Sequence, residues 1–100
     1  MYTIRGMKDR LKLGKYLLQK RLEAELTQRT LGSSLGFTSG QFISNYEKGL
    51  APVPLSSIKV LIKILKLDPY RVVELIQEER LSYLLDELNL ESRKIRSHRR

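Results

Sequence analysis

Between Leu26 and Gly49 the chain reads LTQRTLGSSLGFTSGQFISNYEKG, and its polar residues fall where two short helices would display them. Thr27 and Ser39 stand at expected helix starts, where a hydroxyl can accept an orphan backbone N–H. Gly36 and Gly49 stand where those helices should stop in a positive-φ residue. Leu31 and Leu35 in the first segment, with Phe42, Ile43 and Tyr46 in the second, supply inward faces. That leaves Gly40, Gln41, Ser44, Asn45 and Lys48 pointing outward, a set able to donate and accept hydrogen bonds. Such a face suits the hydrogen-bonding edges of base pairs in a duplex groove.

The rest of the composition narrows the chemistry further. The chain has 100 residues and 41% hydrophobic content, enough for one compact core. It contains no cysteine, which excludes disulfides and thiolate metal sites. Its longest apolar run is three residues, as at Val60, Leu61 and Ile62, too short for a membrane span or a secretory signal, so the expected compartment is the cytoplasm. The net charge of +8 is unevenly spread: residues 1–67 carry +8, residues 68–88 carry −4 and residues 89–100 carry +4. A basic body fits a polyanionic partner.

The elements that must position the polar face follow helical spacing throughout, so the expected class is all-α with five helices. Residues 1–8 read as an arm, either mobile or reaching a neighbouring minor groove through Arg5 and Lys8. A first helix is expected over 9–25 from Leu11, Leu17, Leu18 and Leu22, secure only from Leu13 because Gly14 weakens its start. Arg21 falls near its apolar stripe and needs a carboxylate partner there. The second and third helices are expected over 28–35 and 40–48, and Pro52 and Pro54 impose an extended loop after them. Ile58, Leu61, Ile62 and Leu65 mark a fourth helix over 55–67, with Lys59, Lys63 and Lys66 on its far side. Asp68 and Pro69 form a cap and first-turn pair for a fifth helix reaching Leu88. Its early apolar residues are Tyr70, Val73 and Ile76, and its late stripe of Leu81, Leu84, Leu85 and Leu88 needs a cover, either a fold-back or a second copy. The resulting division is an arm at 1–8, a folded domain at 9–76, a helical extension at 77–90 and a basic, disordered tail at 91–100.

The residues Thr27-Gln28, the Leu35-Gly36 turn, Ile43-Ser44 and Glu47-Lys48-Gly49 resemble the Cro and lambda-repressor-like helix-turn-helix family of bacterial and phage regulators. The similarity covers roughly residues 13 to 76, and the segment between Gly36 and Ile43 is one residue longer than the usual pattern. The resemblance implies a compact five-helix domain whose third helix enters the major groove. It assigns Gln28 to a backbone phosphate, Ser39, Gly40 and Gln41 to the groove-entering tip, Ser44 and Asn45 to bases or flanking phosphates, and Lys48 with Leu50 and Ala51 to the DNA backbone. It also implies a partly buried salt bridge between Arg21 and Glu47 that fixes the third helix to the scaffold.

The leading expectation is a sequence-specific regulator of transcription, a repressor or an activator. One helix reads only a few base pairs, so a homodimer on a near-palindromic operator is expected, with Leu81, Leu84, Leu85 and Leu88 as its candidate seam. The alternative is an antitoxin or adaptor module that offers the acidic fifth helix to a partner protein. An enzyme is disfavoured: the sole histidine, His98, lies in the basic tail, Ser33 and Ser34 lack a base nearby, and no glycine-rich phosphate loop is present. The same shortage of ligands leaves no metal site and no cofactor to expect.

Overall fold

The computed structural model describes residues 4–91, with side chains from Arg10 onward. Five helices and no strands occur among them: α1 (Ile4–Glu23), α2 (Gln28–Ser34), α3 (Gln41–Glu47), α4 (Leu55–Leu65) and α5 (Pro69–Glu87). Two of the expected caps, Thr27 and Asp68, close their helices. The Thr27 hydroxyl accepts the Thr30 N–H at 2.9 Å, and the Asp68 carboxylate accepts that of Tyr70 at 3.0 Å, with Pro69 in the first turn of α5. Gly36 and Gly49 end α2 and α3 at φ of 87° and 72°, conformations that favour a residue without a Cβ.

The core is formed by Leu13 and Leu17 of α1, Leu31 of α2, Ile43 and Tyr46 of α3, Ile58, Leu61 and Leu65 of α4, Leu67, and Val72 and Leu75 of α5. Lys59 and Lys63 of α4, and Lys66 just after it, stay outside, as the spacing demands. Helix α1 packs against α3, α4 and most extensively α5, while α2 packs against α3.

Three expectations are corrected. The first helix begins at Ile4, not at residue 9, so residues 4–8 of the expected arm are helical. Met1–Thr3 and the side chains of Arg5 and Lys8 lie outside the described residues, as do residues 92–100, which hold His98 and all but Glu91 of the expected tail. Gly14 does not delimit α1; it lies mid-helix where α1 crosses the end of α3. A Cβ at Gly14 would stand 2.5 Å from the Glu47 carbonyl oxygen. Close backbone approach thus offsets the helix-propensity cost of about 1 kcal/mol.

The buried face of α5 also differs in register. Val72, Leu75, Ser82 and Leu85 are buried, whereas Tyr70 and Val73 are exposed. The cause is the antiparallel course of α1 beside α5: the Tyr16 hydroxyl oxygen accepts the Asp68 N–H at 3.0 Å, and Lys12 meets Glu78 at 3.4 Å. Moving back along α1 therefore moves forward along α5, and the early residues of α1 run beside the late half of α5. Helix α5 continues unbroken to Glu87, without the break that a fold-back needs, and of its late stripe Leu85 is buried within the chain while Leu84 stays exposed.

Candidate nucleic-acid interface

The outward face of α3 depends on how tightly its inward face is held. Arg21 donates from Nε to Glu47 Oε2 at 2.6 Å and from Nη2 to Oε1 at 3.1 Å, and its Nη1 caps the Leu26 carbonyl oxygen at 2.8 Å. The two side chains are only 9% and 4% exposed. A bidentate pair with a third guanidinium donor also satisfied is the geometry in which burial of two charges is tolerated. Gln28 completes the arrangement, donating from Nε2 to Glu47 Oε1 at 2.9 Å. One carboxylate thereby ties α1, the start of α2 and the end of α3 together.

The Gln28 bond was not expected from the sequence, which pointed this side chain toward a phosphate. Its amide is spent at least in part on Glu47, leaving its carbonyl oxygen and one N–H. Tyr46 sits in the core on the same side of α3, where burial pushes its phenol above 10.0 against the smaller, opposite effect of a hydrogen bond with Ser57.

With Ile43, Tyr46 and Glu47 buried, α3 turns Gln41 and Lys48 to the solvent and leaves Ser44 and Asn45 half-buried beside them. Gln41 donates from Nε2 to Asn45 Oδ1 at 3.0 Å, so the two amides form one platform. The platform retains three N–H donors and the Gln41 carbonyl oxygen. That combination matches a base-pair edge carrying an acceptor and a donor side by side.

The tip of this face differs from expectation. The residue preceding α3 is Gly40, not Ser39, and Ser39 reaches past it to accept the Gln41 N–H at 3.2 Å. Gly40 does not point outward: a Cβ there would stand 2.8 Å from the Arg29 nitrogen and the Gln28 carbonyl carbon, so glycine permits α3 to abut the first turn of α2. The long connection over residues 35–40 is accommodated by this contact. Phe42 was expected in the core but is 51% exposed, its ring stacked on Phe37 at 4.5 Å between centroids and 30° between planes. The ring turns outward because the inward positions are already filled by Ile43 and Tyr46.

Sequence reasoning also passed over Arg29. It is exposed in the first turn of α2, beside the start of α3. A cation at the positive end of a helix dipole is misplaced unless an anion joins it, and that mismatch is the sequence signal that marks it.

The residues of the expected seam on α5 separate. Leu85 is buried within the chain and Leu81 half-buried, while Leu84 and Leu88 are 54% and 63% exposed. Among the described residues no group of acidic or histidine side chains is arranged to hold a metal ion, and no helix is long and apolar enough to cross a membrane. Comparison with protein-family models finds no match, and comparisons with curated proteins and with solved structures find no significant relative, so the arrangement around α3 is interpreted from its own geometry.

Proposed function

We propose that the chain is a sequence-specific double-stranded DNA-binding regulator of transcription with a lambda-repressor-like helix-turn-helix domain formed by α2 and α3. The observation that carries this reading is the contrast between the two faces of α3. The inner face is locked by the Arg21, Glu47 and Gln28 hydrogen bonds, and the outer face holds Gln41, Ser44, Asn45 and Lys48 in a contiguous polar surface. Rigid support of adaptable polar groups is what base readout requires, since misplacement of an amide loses its paired hydrogen bonds. The +8 charge of residues 1–67 supports attraction to phosphates, with Lys48 and Arg29 bordering the proposed reading surface.

In this reading α3 enters the major groove and a homodimer spans a near-palindromic operator. The experiment is selection of bound sequences from random duplex DNA by the full chain. Enrichment of two inverted half-sites supports the reading, and recovery of unenriched sequence rejects it. A second reading, a protein-binding module of the antitoxin or adaptor kind, is favoured by one observation: Leu84 and Leu88 remain exposed on the acidic fifth helix. That module would need no enrichment of DNA sequence.

A further inference from the structure

We propose that Phe42 is a specificity-determining residue that packs its exposed ring against the 5-methyl group of a thymine, one base step from the pair met by Gln41 and Asn45. The inference rests on the DNA reading above and adds a base identity to it. It starts from placement. At about 100° per residue, and with Gln41 set at zero, Asn45 lies near 40° and Lys48 near 340°, while the buried trio of Ile43, Tyr46 and Glu47 spans roughly 140° to 240°. Phe42 falls near 100°, on the shoulder of the polar face and on the Asn45 side of it.

The ring is also held. It is 51% exposed yet stacked at 4.5 Å on Phe37, which itself packs against the core. A ring fixed on one side loses little further conformational freedom when its other side meets a ligand. Polar neighbours on α3 can pair with donors and acceptors, but an apolar ring cannot. The thymine methyl is the apolar group that base edges present in the major groove, and phenylalanine is among the side chains suited to it. Gln41 and Asn45 would thus read hydrogen-bonding edges while Phe42 reads the methyl beside them.

The test uses the full chain and the duplex recovered by selection, synthesised with deoxyuridine in place of thymine at one position at a time. Loss of a single buried methyl should weaken wild-type binding by about 3- to 5-fold at one position of each half-site and leave other positions near unity. In Phe42→Ser that position should become indifferent to thymine or deoxyuridine, while Phe42→Leu, which keeps an apolar surface, should retain a preference. The wild-type comparison requires no variant to fold. Sequence-selective binding with no deoxyuridine-sensitive position, or with a sensitivity that persists in Phe42→Ser, overturns the role of Phe42 and leaves the DNA reading standing. Absence of any sequence-selective duplex binding overturns both, and is recognised at the selection step before Phe42 is varied.

Discussion

Glu47 shows how one side chain can decide where several others point. It accepts two hydrogen bonds from Arg21 and one from Gln28 while almost wholly buried. Replacing it with alanine leaves the Arg21 guanidinium buried without its counter-charge, a change that costs about 3–5 kcal/mol. Urea unfolding of Glu47→Ala should therefore show a greatly lowered midpoint, and a midpoint equal to that of the native chain would contradict a buried Arg21–Glu47 pair. The need for this partner was legible, because an arginine on an apolar stripe demands a carboxylate. The share taken by Gln28 was not, since it depends on the start of α2 meeting the end of α3 in space. Phe42 departs from expectation for a related reason: Phe42, Ile43 and Tyr46 are all apolar or aromatic enough to be core, and only packing determines which of them turn inward.

At the scale of elements, the sequence reading located all five helices, because caps and breakers act locally. Thr27, Gly36, Gly49, Asp68 and Pro69 each mark a boundary through their own backbone or a neighbour two or three residues away. Where expectation failed, the deciding contact was long-range. The early start of α1 and the register of α5 both follow from the antiparallel packing of these two helices, which no local pattern encodes. Gly14 illustrates the conflict between scales. On helix propensity alone, Gly14→Ala should stabilise α1 by about 0.5–1 kcal/mol. The added Cβ would instead meet the Glu47 carbonyl oxygen at 2.5 Å, forcing α1 and α3 apart. Thermal unfolding should show a lower melting temperature for Gly14→Ala; a higher one would mean that the crossing of α1 over α3 is looser than described.

For the whole molecule, charge and exposed apolar surface divide the proposed tasks. The basic body carries the proposed reading face, and the acidic residues 68–88 lie along α5 with Leu84 and Leu88 uncovered. If α5 joins two copies, changing Leu84 and Leu88 to serine should convert a dimer to a monomer in sedimentation without lowering the melting temperature of the isolated fold, because neither side chain belongs to the core. A dimer that survives the change must be joined elsewhere. The proposed reading of bases by the outer face of α3 is put to the test by repeating the duplex selection with the Gln41→Ala, Asn45→Ala double variant. These two residues are bonded to each other at 3.0 Å outside the core, so the variant should fold and retain salt-sensitive duplex binding through its basic residues. Sequence preference should collapse at the positions facing Gln41 and Asn45. An unchanged enriched sequence would contradict the proposed reading.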